Sequence, residues 1–310
     1  MHILILGAGA LGSLLGARLS QADVGISLLT TDSRHVQAVR QGGLMVEELD
    51  GGTSCYRLSA HDDPRTLEDV PDLVLVAVKT HSIDVAVSSI VERCHADTLF
   101  LTLQNGVGNW ERIAGLVGRG SVLVGTTAQG ATLLEPGRIR HGGNGPTYLG
   151  EPQGTPSPRV RLLVEKFQQA GLKAEARGGM EQLIWEKLHV NVGINAITAL
   201  TGIKNGFIAA TPVARELCKA AVEEALQVAR AKGFAMPDDM VERVLAIAQA
   251  TAVNRSSMGQ DVDRRKRTEI DAINGAIIAL GERLRVPTPV NRTLTQLVKV
   301  LQASYLASDE

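Results

Sequence analysis

The sequence predicts an α/β protein whose first half is a parallel sheet laced with helices and whose second half is all helix. Three observations carry that prediction. Residues 2–6, His-Ile-Leu-Ile-Leu, run directly into Gly7-Ala8-Gly9-Ala10-Leu11-Gly12, after which apolar residues recur at helical spacing through Leu19. Residues 73–78 form a continuous apolar run, and residues 98–103, Thr-Leu-Phe-Leu-Thr-Leu, repeat the pattern, as expected of parallel strands buried on both faces. From residue 179 onward the pattern is helical almost throughout. The boundary therefore falls at Arg177-Gly178-Gly179, giving domains 1–178 and 179–310.

In chain order, the first strand and glycine turn define a dinucleotide-binding, Rossmann-type unit. Gly7 supplies the tight turn, Gly9 lets the backbone approach a pyrophosphate, and Gly12 lets the helix pack on the strand. The amides of Ala8, Ala10 and Leu11 lie in the same loop, where the helix start receives phosphate. A second strand spans residues 25–30, followed by a helix ending near Gly42-Gly43. Cofactor choice is read here: Asp32 suits the ribose hydroxyls of NAD, whereas Arg34 could pair with the 2′-phosphate of NADP. Each also has a purely structural reading, as a helix cap and a solvated charge.

Residues 44–49 and 54–59 flank Asp50-Gly51-Gly52 as an accessory hairpin. Lys79 and Asn105 follow the two apolar runs, at the carboxyl strand ends where open α/β sheets bind ligands. Residues 121–127, 131–134 and 147–149 read as three short strands of an antiparallel extension, broken by Pro136-Gly137, Gly142-Gly143 and Gly145-Pro146. A helix at 156–170 and a strand at 172–176 complete the first half.

Composition narrows the function. The chain has 310 residues, 44% of them hydrophobic, enough for two cored domains, and a net charge of −1 offers no basic field for nucleic acid or anionic lipid. Three widely spaced cysteines form neither a disulfide framework nor a metal motif, and no apolar run approaches a membrane span, so a cytoplasmic protein without a metal is expected.

In the second half, residues 181–200 form a long helix on which Lys187, Asn191 and Asn195 recur every fourth position. They drift only about 40° per step and form one polar stripe on an otherwise apolar helix. An ammonium with two amides suits a 2-oxo acid: the lysine donates a proton as hydride reaches the carbonyl, and the amides hold oxygens. Ser257 and Glu269 lie farther on. On one unbroken helix they would stand about 18 Å apart and about 120° out of phase, so a break is needed for them to converge, and Gly259 offers one. The intervening Asp263-Arg264-Arg265-Lys266-Arg267 reads as a solvated helix face.

Together, the Gly7 to Gly12 fingerprint, Val78-Lys79, Gln104-Asn105-Gly106, Glu186-Lys187 with Asn191 and Asn195, Ser256-Ser257-Met258 and Thr268-Glu269-Ile270-Asp271 resemble the ketopantoate reductase family. The match runs in order nearly end to end. The resemblance implies a Rossmann domain joined to a helical domain, with the site in the cleft between them. It further implies NADPH-dependent reduction of 2-dehydropantoate to pantoate, a step towards pantothenate and coenzyme A. Carried over by residue, Lys187 is similar to the catalytic acid and Glu269 to the glutamate that orients substrate near the reacting oxygen and the cofactor. Asn191, Asn195 and Ser257 match substrate-holding positions, and Asn105 and Lys79 match positions near the nicotinamide.

Many family members end the second strand with an arginine, whereas this chain reads Thr30-Thr31-Asp32 with Arg34 nearby. NADP and NAD both stay open, and so does an NAD-dependent D-2-hydroxyacid dehydrogenase of the same architecture acting on another bulky 2-oxo acid. A non-catalytic dinucleotide sensor is a third reading, against which the retained Lys187 and Glu269 argue. The apolar helices of the second half could support a homodimer or simply form that half's own core.

Overall fold

The computed structural model describes residues 1–307, and by its internal contacts the chain divides into two units. The first holds Met1–Gln104 and Gly108–Glu181; the second holds Asn105–Val107 and the chain from Gln182 onward.

The first unit opens with β1 (His2–Leu6), α1 (Ala10–Leu19), β2 (Gly25–Leu29) and α2 (Ser33–Gly42). The hairpin β3 (Leu44–Glu47) and β4 (Thr53–Tyr56) and the short β5 (Ser59–His61) follow, then β6 (Leu73–Val76), α3 (Ile83–Ser88) and β7 (Leu99–Thr102). After α4 (Asn109–Val117) come β8 (Val122–Glu135), β9 (Arg138–Gly150), α5 (Pro158–Gln169) and β10 (Ala174–Ala176). Strands β5-β2-β1-β6-β7-β8 are parallel neighbours in that order. This is the doubly wound arrangement, whose direction of growth reverses between β1 and β6. Leu73, Val74, Leu75 and Val76 are all buried, as their unbroken apolar run requires.

Two expectations for this half are corrected. The hairpin is not accessory: β3 pairs in parallel with β9, which extends one sheet through β9-β3-β4. Arg18 on α1 also reaches Glu48 and the Tyr56 hydroxyl, the latter at 2.8 Å, so a partly buried ion pair ties the hairpin to the core. Its second arm ends at Tyr56, and Ser59 starts a separate strand beside β2. The three short strands are instead two long ones, β8 and β9, joined at Pro136-Gly137. Glycines at 142, 143 and 145 do not end β9, because bulges at Thr127/Gln129 and Gly130/Ala131 absorb the irregularity and keep the ladder intact.

Within the second unit the described residues from 182 onward are helices and connecting turns. α6 (Met180–Thr201) leads into α7 (Asn205–Ala210), α8 (Pro212–Ala231) and α9 (Met240–Ala250), and α10 (Ser257–Asp263), α11 (Asn274–Leu284) and α12 (Pro289–Leu306) complete it. α6 is buried over most of its circumference, and its Val192, Ala196 and Ile197 join Cys218, Val222, Val244, Ile277 and Val298 in one apolar core. A Cβ at Gly193 would come within 2.9 Å of Val222, Val244 and Cys218, so this glycine lets α8 and α9 close on α6. No helix among the described residues is long and apolar enough to cross a membrane.

The break between Ser257 and Glu269 is not at Gly259. That glycine lies inside α10, where a Cβ would sit 2.6 Å from the Arg255 guanidinium carbon. Instead α10 ends at Arg264-Arg265: the Lys266 amide bonds the Asp261 carbonyl at 2.8 Å and the Arg265 amide bonds that of Val262 at 2.9 Å, the paired bonds of a Schellman stop. The exposed basic run is therefore a turn and not a helix face. Arg265 stands in the left-handed region at φ 53° with no glycine to relieve it. Arg265→Gly is expected to raise stability by roughly 0.5–1 kcal/mol, read as a higher denaturant midpoint at constant m; an unchanged midpoint would show that the turn is unstrained.

Candidate active site

In the first unit the glycine loop lies at the reversal point of the sheet. The Gly7 and Ala8 amides donate to the Leu29 carbonyl at 2.8 and 3.1 Å, fixing the loop to the end of β2. Gly7 has φ 103°, and a Cβ there would sit 2.5 Å from the Val78 amide nitrogen, so the loop presses on the chain leaving β6. A Cβ at Gly12 would collide with the Gly7 carbonyl at 2.3 Å, whereas one at Gly9 would meet nothing within 4 Å. Two glycines thus serve the protein's own packing, and the third keeps an open surface over the start of α1. The first helical bond is Ser13 amide to Gly9 carbonyl, which leaves the amides of Ala10, Leu11 and Gly12 at the head of the helix outside that ladder. This cradle fits a dinucleotide pyrophosphate. Gly9→Ala is expected to weaken dinucleotide binding with little change in melting temperature, whereas Gly12→Ala lowers the melting temperature itself; equal losses of both kinds in the two variants would contradict this division.

Asp32 heads α2, its Oδ1 accepting the His35 amide at 3.2 Å, so it is a helix cap. Arg34 is 85% exposed, 3.9 Å from the Asp32 carboxylate. Lys79 leads the turn after β6, and Gln104, which the sequence reading used only within a motif, donates from Nε2 to the Val78 carbonyl at 2.5 Å. Gln104 therefore links the ends of β7 and β6.

In the second unit the polar stripe of α6 meets two other segments. Asn195 is buried and donates from Nδ2 to the Ser257 hydroxyl at 3.4 Å. Lys187, one face but two turns earlier, feels the Glu269 carboxylate, which is itself 9% exposed. Burial lowers the Lys187 pKa to about 8, and Glu269 opposes that shift. Between them, the buried Asn191 Nδ2 has no hydrogen-bond partner among the described residues. A buried amide donor left open on this stripe can take a ligand oxygen. Asn105 belongs to this unit: its neighbour Gly106, at φ 89°, lies so close to the turn after Glu269 that a Cβ would be 2.4 Å from the Ala272 carbonyl.

Two supporting residues escaped the sequence reading. Ser256, not Ser257, is the cap of α10, accepting the Gly259 amide at 3.0 Å and bonding Thr198 of α6 at 2.6 Å. A serine at the residue before a helix is a readable cap signal. Arg255 donates to the Thr198 and Ile203 carbonyls and pairs through both Nε and a terminal nitrogen with Asp263 at 2.9 Å, which clamps the start of α10 to the end of α6. No local pattern announced that role.

A glycine cradle at the reversal point of a doubly wound sheet, with a helical unit carrying a depressed lysine, a buried carboxylate and two amides, defines a dinucleotide-dependent oxidoreductase. Comparison with known proteins makes this more specific. Residues 3–154 match the family described as Ketopantoate reductase PanE/ApbA, and residues 179–302 match its C-terminal counterpart. The chain belongs to the ketopantoate reductase family, whose members are NAD(P)-dependent oxidoreductases acting on a CH–OH group.

It is 38% identical over 302 residues to a 2-dehydropantoate 2-reductase of Halobacterium salinarum, covering 97% of this chain and 99% of the relative. A 2-dehydropantoate 2-reductase of Archaeoglobus fulgidus is 36% identical over 97% of this chain and 98% of its own. Among solved structures, a ketopantoate reductase family member of Ralstonia eutropha superposes with TM-score 0.90 at 31% identity, covering 99% of this chain and 100% of its own. A ternary structure of D-mandelate dehydrogenase with NADH and anilino(oxo)acetate superposes with TM-score 0.92 at 27% identity, covering 98% and 99%.

Proposed function

We propose that this chain reduces 2-dehydropantoate to (R)-pantoate, with NADPH as the reductant and Lys187 as the proton donor. The single observation that carries the reading is the Lys187–Glu269 pair beside the open Asn191 amide. When bound, the dinucleotide supplies hydride to the carbonyl carbon. Lys187 then neutralises the developing oxyanion by giving up its proton, and a pKa near 8 keeps it charged at neutral pH yet a ready donor. Glu269 sustains that charge and orients the ammonium. Asn191 and Asn195 hold substrate oxygens, and the Ser257 hydroxyl beside Asn195 serves the carboxylate.

On the cofactor side, the Gly7 to Gly12 loop receives the pyrophosphate, with the amides of Ala10 and Leu11 facing it and Ala8 shaping the turn. Lys79 and Asn105 serve the nicotinamide end. Asp32 and Arg34 share the adenine ribose, Arg34 pairing with a 2′-phosphate.

A second reading is supported by Asp32 and by the likeness to D-mandelate dehydrogenase: an NADH-linked reductase of a bulkier 2-oxo acid. One assay separates the two, following loss of NADPH and NADH with 2-dehydropantoate and with benzoylformate. Preference for NADPH and 2-dehydropantoate supports the first reading, and turnover of benzoylformate with NADH replaces it by the second. Under the first reading, Arg34→Ala raises the KM for NADPH and leaves that for NADH unchanged.

A further inference from the structure

We propose that His35 and Ser13 form a buried relay that sets the orientation of the glycine loop, making His35 a positioning residue for the dinucleotide. The inference rests on the loop's proposed role in binding that cofactor. His35 is 2% exposed and Ser13 fully buried, and neither reaches the open surface over Gly9. Their hydrogen bonds run in one direction. The Gly137 amide, in the turn between β8 and β9, donates to His35 Nδ1 at 3.1 Å. That nitrogen must then carry the lone pair, so the imidazole proton sits on Nε2. Nε2 lies 3.2 Å from the Ser13 hydroxyl oxygen and donates to it, and the hydroxyl's own proton goes to the Ala8 carbonyl at 3.1 Å.

The Ala8 carbonyl belongs to the same rigid peptide plane as the Gly9 amide. Holding that oxygen fixes the tilt of the plane over which a pyrophosphate would pass. The relay thus joins three segments distant in sequence: the β8–β9 turn, α2 and the loop after β1. Gly137 is itself seated, at φ 77° with a Cβ position 2.7 Å from Ala38 and its carbonyl accepting the Met45 amide at 2.8 Å, so the donor at the head of the relay is anchored. Burial lowers the His35 pKa while Asp32, at the head of the same helix, acts in the opposite sense. A protonated imidazole would face the Gly137 amide with a second donor and break the relay, so the neutral ring is the working form.

The test is dinucleotide affinity, measured for the full chain by protein fluorescence with NADPH and with NADH. Ser13→Ala and His35→Leu are each expected to weaken binding by about tenfold, the scale of one buried hydrogen bond with its partner left open. The double variant should be no weaker than the worse single one, since both cut the same relay. His35→Gln, whose amide can still donate to Ser13, should recover most of the loss, and in turnover the effect should fall on the KM for the dinucleotide and not on kcat. Should His35→Leu fail to fold, Ser13→Ala carries the comparison alone. A folded Ser13→Ala variant that binds both dinucleotides as the wild type does would overturn the inference, as would additive losses. If the wild type bound neither dinucleotide, the cofactor reading itself would fall; normal wild-type binding with unaffected variants removes only the relay.

Discussion

Lys187→Ala is expected to lower kcat for reduction by two or more orders of magnitude, the scale of losing a positioned general acid. A loss below tenfold would mean that another group delivers the proton. The pH dependence makes the same argument independently. Reduction needs the ammonium form, so with a pKa of about 8 the kcat/KM should be level below that pH and decline as pH rises through it. The reverse oxidation needs the neutral amine and should rise over the same interval. Because the Glu269 carboxylate raises the lysine's pKa against the effect of burial, Glu269→Gln should move both limbs to lower pH. A profile that stays in place in that variant would separate Glu269 from the proton donor.

The largest effect on stability is expected from Glu224→Ala. Glu224 projects from α8 and is 9% exposed, and its carboxylate accepts the Val290 and Asn291 amides at 2.8 and 2.9 Å and the Asn291 side-chain amide at 2.7 Å. It therefore satisfies the first turn of α12 from another helix, where negative charge also suits the helix dipole. Asn291 is fully buried and donates as well to the Ala221 carbonyl at 3.0 Å, and it accepts at 2.9 Å from Asn274, whose amide lies 3.4 Å from the Val192 carbonyl of α6. The network fastens α8, α11 and α12 around the helix that carries Lys187. Truncating Glu224 leaves several buried donors without an acceptor, a cost of about 3 kcal/mol or more. Thermal unfolding would show it as a drop of several degrees. A change below about 1 kcal/mol would mean that water replaces the carboxylate.

Much of the architecture was legible because its signals are local. The glycine spacing after an apolar strand, the all-apolar run of β6 and the largely apolar run of β7, and the four-residue recurrence of Lys187, Asn191 and Asn195 each report the period of a backbone element, which neighbouring residues alone determine. The extent of β8 and β9 was not legible, because glycines that read as breakers in isolation are carried by a partner strand through bulges. A hairpin taken as accessory proved to be part of the main sheet, since the strand that pairs with it lies more than ninety residues away.

Residue type and spacing fix the chemistry on offer: a glycine turn of the kind that suits a pyrophosphate, a lysine with two amides on one helix face, a serine and a glutamate. Which of these groups meet is set by the folding of distant segments onto one another. Ser257 and Glu269 both reach α6, at Asn195 and Lys187, because a stop at Arg264-Arg265 redirects the chain. The 105–107 segment clusters with the helical unit because Gly106 has no Cβ to hold it off Ala272. Burial takes Lys187 from an ordinary lysine to one with a pKa of about 8. Side-chain type is a property of each position, but desolvation and directed hydrogen bonds depend on what the rest of the folded chain brings alongside it.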